Sequence, residues 1–157
     1  MRGYKKILVG VIALVVLAIA LLQLSIRFRG TSPQFGGEEP KIILHETRTN
    51  FTNYFVDIKP IKEESYWIKF KNQTVYLTKF LVKLEDVNEF LNKFLKVGAD
   101  IILKENTYSI NNYNGKELIT KRGYNIIIRK GDVILAAGNH ESETVKDVIK
   151  WFITKFG

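Results

Sequence analysis

Cysteine is absent from all 157 residues, and histidine occurs only twice, at His45 and His140. Without cysteine no disulfide can form, so any exported part must be stabilised by its core alone. A stretch of roughly 115 residues manages that by burying about two-thirds of its unfolded surface. Glycine-rich phosphate loops are missing too: Gly36-Gly37 falls in a Pro/Gly-rich stretch, and neither Gly123 nor Gly131 opens a helix. Ser25, Ser32, Ser65, Ser109 and Ser142 lack a nucleophile elbow. The sequence therefore implies no cofactor, no metal and no recognisable catalytic set.

What is present begins with an uncharged run, Ile7 to Ile26, in which fourteen of twenty residues are Ile, Leu or Val. As a helix it is about 30 Å long, the hydrocarbon thickness of a bilayer. Fourteen aliphatics favour insertion by about 4 to 8 kcal/mol, opposed only by Gln23 and Ser25. Arg2, Lys5 and Lys6 precede the run, and Arg27 and Arg29 come after it. The Lys/Arg asymmetry predicts a single-pass signal anchor with residues 1 to 6 cytoplasmic and the remainder outside, at the cell membrane. The competing reading is a cleaved signal peptide, since Ala18-Ile19-Ala20 offers a small-x-small site. The apolar run continues past that site to Ile26, which favours the anchor. Both readings export the rest of the chain.

The same residues account for much of the basic charge. Removing those five from the 24 basic residues leaves 19 against 16 acidic ones, a net +3. That is ordinary for a domain, so no nucleic-acid partner is expected, and the flanking arginines suit phospholipid headgroups. The Ile- and Lys-rich, Cys-free composition points to a prokaryotic source. Two N-glycosylation-type triplets, at Asn50 and Asn72, are close to the chance expectation.

Residues 27 to 40 form a juxtamembrane linker, Pro/Gly-rich from Thr31 to Pro40. The chain beyond the linker repeats itself: sliding it by 58 residues aligns 42 to 99 with 100 to 157 and gives eleven identities, among them Asn53 with Asn111, Tyr66 with Tyr124, Leu77 with Leu135 and Phe94 with Phe152. The apolar helix positions Val87, Phe90, Leu91, Phe94 and Leu95 fall on Val145, Val148, Ile149, Phe152 and Ile153. The expected architecture is α+β: after the transmembrane helix, two ββββα units, 41 to 98 and 99 to 157, forming one antiparallel sheet with both helices packed on one face.

In the first unit, strands are expected at Lys41 to Glu46, Phe51 to Ile58, Tyr66 to Lys71 and Thr74 to Leu81, with Asn72-Gln73 as a two-residue turn. That turn pairs Phe70 with Val75 and Ile68 with Leu77 on an apolar face, and Lys69 with Tyr76 on a wet one. In the second unit, strands are expected at Asp100 to Glu105 and about Lys116 to Lys121, and Asn114-Gly115 signals a turn. Its hairpin turns at Lys130-Gly131, pairing Arg129 with Asp132, Ile128 with Val133 and Ile126 with Leu135. A helix closes each unit, the first ending at Gly98 and the second capped by Ser142.

The hairpins differ in one place, where Lys69 and Tyr76 of the first correspond to Ile127 and Ile134 of the second. The second hairpin is thus apolar on both sides. Either a central strand is buried there, or Ile127 and Ile134 form a partner-binding patch. Trp67, Lys69 and Tyr76 form a second candidate surface, suited to protein, glycan or headgroup contact through stacking and cation-π interactions. Asn139 to Glu143 is the densest polar cluster and reads as a capping loop, with a metal or acid-base role as the alternative. The doubled plan resembles, in shape alone, the saddle of TATA-binding proteins, and one unit resembles the cystatin grip. The wedge phenylalanines and basic concave face of DNA saddles are not identifiable, and shape transfers no function. The expected function is a non-catalytic binding or assembly module held at a membrane, with a structural subunit of a larger complex or an envelope hydrolase as the other readings.

Overall fold

The computed structural model describes residues 37–157. The expected span Ile7 to Ile26 and most of the linker lie outside the described residues. Among the described residues, no helix is long and apolar enough to cross a membrane. The elements are β1 (Lys41–Arg48), β2 (Lys62–Phe70), β3 (Gln73–Leu81), α1 (Val87–Val97), β4 (Ile102–Ile110), β5 (Tyr113–Thr120), β6 (Gly123–Lys130), β7 (Val133–Asn139) and α2 (Ser142–Phe156). The strands form one antiparallel sheet of seven in the order β1-β2-β3-β7-β6-β5-β4.

Turn chemistry sets the registers. Lys71 and Asn72 both adopt positive φ (48° and 58°), so the first hairpin turns one residue earlier than expected. Phe70 then pairs with Gln73, Ile68 with Val75 and Trp67 with Tyr76. In the second hairpin Gly131 (φ 60°) takes the first turn position, as a type II′ turn wants, and Lys130 pairs with Val133. Each pairing is displaced by two residues from expectation. An even displacement preserves which side each residue faces, so the expected faces survive.

Asn114-Gly115 is not a turn. The chain reverses at Asn111 and Asn112, both left-handed (φ 46° and 66°), which asparagine tolerates. Gly115 lies inside β5, where a Cβ would sit 2.1 Å from the Ile127 carbonyl oxygen. The glycine serves close backbone approach rather than reversal. Nor is Phe51 to Ile58 a strand. Asn50 Oδ1 accepts hydrogen bonds from the Thr52 N–H (3.2 Å) and hydroxyl (2.8 Å), and Asn53 has φ 59°. Local side-chain bonds of this kind divert a backbone from sheet pairing. Phe51, Val56 and Pro60 are nonetheless buried, and the Tyr54 hydroxyl donates to Glu63 at 2.6 Å, fixing this loop against the sheet.

The largest correction concerns the helices, which pack on opposite faces. Val145, Val148, Ile149 and Phe152 of α2 bury against Ile68, Val75, Leu77, Ile126, Ile128 and Leu135 on what we call the back face. Val87 and Phe90 of α1 bury against Phe80, Leu118, Ile127 and Ile134 on the front. Because side chains alternate along a strand, Ile127 and Ile134 must point away from Ile126, Ile128 and Leu135. The doubly apolar β6-β7 hairpin needs cover on both sides, and the two helices supply it. The path of α1 is set by topology: it must carry the chain from β3, past β7, β6 and β5, to β4 at the far edge.

The 58-residue repeat is therefore not a repeat of architecture. The chain before Gly98 contributes three strands and the chain after it four. Phe70 to Gln73 and Lys130 to Val133 correspond at a separation of 60. A shared sheet backed by two helices on one side, the basis of the saddle resemblance, is absent from the described residues. Both edge strands carry a bulge, at Ile43 in β1 and Leu103 in β4, which interrupts their pairing edges.

Candidate functional site: a cleft on the front of the sheet

The back face is filled by α2, whereas α1 covers only part of the front. Tracing the ladder pairs across the front gives one row: Leu44, Trp67, Tyr76, Gly138, Asn125, Leu118 and Glu105. The adjacent row carries Thr78, Ala136 and Ile127. Side-chain size collapses in the middle of these rows, at Ala136 and Gly138. One pair further along β7, beneath α1, stands the bulky Ile134.

That drop in height makes a cleft of about 770 Å³, within the range of small-molecule sites. Ala136, Gly138 and Asn125 floor it. Phe94, Leu95, Val97 and Ile101, from the end of α1 and the turn after it, form one wall, extended by Phe55, whose ring lies 5.9 Å from Phe94; Tyr76 also lines the cleft. The α1 wall is held from behind by Phe80, whose ring lies 5.3 Å from Phe90 and 5.5 Å from Phe94. Gly138 has ordinary backbone dihedrals; its constraint is steric, since a Cβ there would meet Asn125 Oδ1 at 2.2 Å.

Polar groups gather at one end. The Thr120 hydroxyl donates to the Gly123 carbonyl at 2.9 Å and accepts from the Arg122 N–H, tying down the β5-β6 turn. Asn139 Nδ2 donates to the Thr74 carbonyl at 2.6 Å, while its Oδ1 accepts from the Glu141 N–H. His140 and the Arg122 side chain stand exposed at this mouth. Asn139 to Glu143 leads into the helix as a turn, but it is not the expected side-chain cap: Glu141, not Ser142, holds the N-cap position, no side chain accepts from a backbone N–H of the first turn, and the Glu141 carboxylate accepts from the Thr144 hydroxyl at 2.7 Å.

The expected site residues separate into two groups. Trp67 and Tyr76 are exposed (44% and 55%) and meet edge to face at 5.4 Å, with Lys69 exposed on the same side. Tyr76 links this surface to the cleft. Ile127 and Ile134 are 8% and 1% exposed and belong to the core under α1, so they offer no free patch. Ile127 still reaches the cleft floor. The histidines do not meet: His45 is behind the sheet, stacked on Tyr66 at 4.3 Å with Nε2 3.6 Å from Glu64. Among the described residues no group of three or more His, Asp or Glu is placed to hold a metal.

Two carboxylate centres lie on the back face. Burial would raise the Glu64 carboxyl, but the hydrogen bond and charge of Lys62, with Lys79 and His45, hold it below its usual range. Burial, reinforced by Glu64, pushes the Tyr66 hydroxyl up to about 12. Glu117 is lowered by hydrogen bonds from Tyr124 and Asn106 and by the Lys146 charge, and Tyr124 is raised by burial and by that same bond. Glu117, Tyr124 and Lys146 tie β5 and β6 to α2, and none of these groups lines the cleft.

The cleft itself was not foreseen. Its signal in the sequence is the small-residue run Ala136-Ala137-Gly138 in a strand that is otherwise bulky and apolar. No protein-family model, curated protein or solved structure matches the chain.

Proposed function

We propose that this protein is a membrane-anchored binding module, with residues 7 to 26 spanning the bilayer, the N-terminus cytoplasmic and the α+β domain outside. The front-face cleft is its ligand site. One observation carries the reading: an apolar concavity of about 770 Å³ with a few polar groups at a single end, the usual composition of a small-molecule pocket. Trp67, Lys69 and Tyr76 extend the binding surface beyond the mouth. The anchor rests on the Lys/Arg asymmetry around an uncharged run of bilayer length.

Two measurements test this. Protease added to intact cells should digest the domain while leaving the span, and protection of the domain refutes export. Native mass spectrometry of the full chain released from its own membrane should show a retained non-covalent adduct that is lost in Ala136→Trp. An adduct-free wild type, or equal retention by the variant, refutes the site.

A further inference from the structure

We infer that the cleft takes a single-chain amphiphile with an anionic head, the alkyl chain lying over Ala136 beside α1 and the head at the His140 end. This rests on the cleft being a ligand site. Charge is distributed along it unevenly: no lining side chain is a carboxylate, and the one permanent charge is Arg122. Next to that end, Lys41 and Lys69 are direct cross-strand partners on the front face, and Lys69 also pairs with cleft-lining Thr74. Like charges opposed in a ladder destabilise it.

No carboxylate offsets that repulsion. Among the described residues Lys41, Lys69 and Arg122 make no ion pair, so no carboxylate of the chain competes with an anion for them. Glu141, the acid adjoining His140, is turned to Gln73 and Thr144. An anion at this mouth meets the positive charge of Arg122, and Lys69, one strand beyond cleft-lining Thr74, adds to the positive field on that side.

Away from the mouth the lining is Phe94, Leu95, Ile101, Ile102 and Leu118, which offer an alkyl chain dispersion contact and no hydrogen bond.

The test uses the full chain in lipid nanodiscs with a diazirine-bearing palmitic acid, its amine analogue, and mass-spectrometric mapping of adducts. The acid should label residues 94 to 102 and 134 to 138, about tenfold more than the amine does. Ala136→Trp should reduce that labelling about tenfold. The exposed double variant Lys69→Glu with Arg122→Glu should lower acid labelling similarly and raise amine labelling. Unchanged melting monitored by tryptophan fluorescence certifies each fold. Equal labelling of the cleft by acid and amine overturns the anionic head while leaving the site standing. Labelling confined to residues 7 to 26, or indifferent to Ala136→Trp, overturns the site as well.

Discussion

Replacing Ile134 by alanine asks whether α1 covers the front of the sheet. Ile134 is 1% exposed, in a cluster with Phe80, Val82, Val87, Phe90 and Ile127. Truncation removes three buried carbons at about 0.8 kcal/mol each, roughly 2.4 kcal/mol of transfer free energy. The cavity adds to this, because Phe80 and Phe90 flank the site and cannot collapse fully, so a loss of about 3 to 4 kcal/mol is expected. For a domain of this size that corresponds to a fall of about 10 °C or more in melting temperature. Melting of the full chain in nanodiscs, monitored by the fluorescence of Trp67 and Trp151, reads it directly. Coupling sharpens the assignment. Ile134→Ala should be non-additive with Phe90→Ala, which shares its cluster, and nearly additive with Val148→Ala, which lies behind the sheet. Were both helices on the back, Ile134 would be exposed and the loss would stay below about 0.5 kcal/mol. That result would refute the opposite-face arrangement.

Other consequences can be checked in the same preparation. Gly115→Ala should cost more than about 2 kcal/mol, since its Cβ meets the Ile127 backbone carbonyl, an obstacle that cannot rotate away; a neutral melting temperature would contradict that approach. Asn112→Val should cost about 1 to 2 kcal/mol, because a β-branched residue is forced to φ 66°, while Asn112→Gly should be close to neutral. Glu117 is held below its usual 4.5 by Tyr124, Asn106 and Lys146. A depressed carboxyl stabilises the fold above its unfolded pKa and loses that contribution as pH falls through the folded one. Glu117→Gln should therefore be less stable at pH 7 and lose less stability than wild type between pH 5 and pH 3, as read from melting temperature against pH. Parallel curves would show that Glu117 is not so held.

The parts of the fold readable from sequence are those set by periodicity. Val87, Phe90, Val145, Val148, Ile149 and Phe152 identify both helices and their buried sides, and alternation along β2 and β3 gives the correct faces despite a two-residue error in register. That error came from turn chemistry: Lys71 tolerates a left-handed dihedral beside Asn72, and Gly131 prefers the first position of its turn. Asn114-Gly115 misled because a glycine placed for close approach looks the same as one placed for reversal. The second hairpin, apolar on both sides at Ile127 and Ile134, already implied two covered faces. The 58-residue repeat points to one side for both helices, but burial of Ile127 and Ile134 outweighs it. The aromatic edge of the site was legible at Trp67 and Tyr76. The cleft was not, because it depends on where α1 ends relative to Ala136 and Gly138, a tertiary relation between segments about 40 residues apart in sequence.

An experimental structure of the full chain isolated from its own membrane tests the central claim most directly. A bound molecule, its polar end toward Arg122 and His140, should hold open the space between Phe94 and the Ala136-Gly138 floor. A structure in which Phe94 and Leu95 close onto Ala136, leaving no room for a ligand, would contradict it.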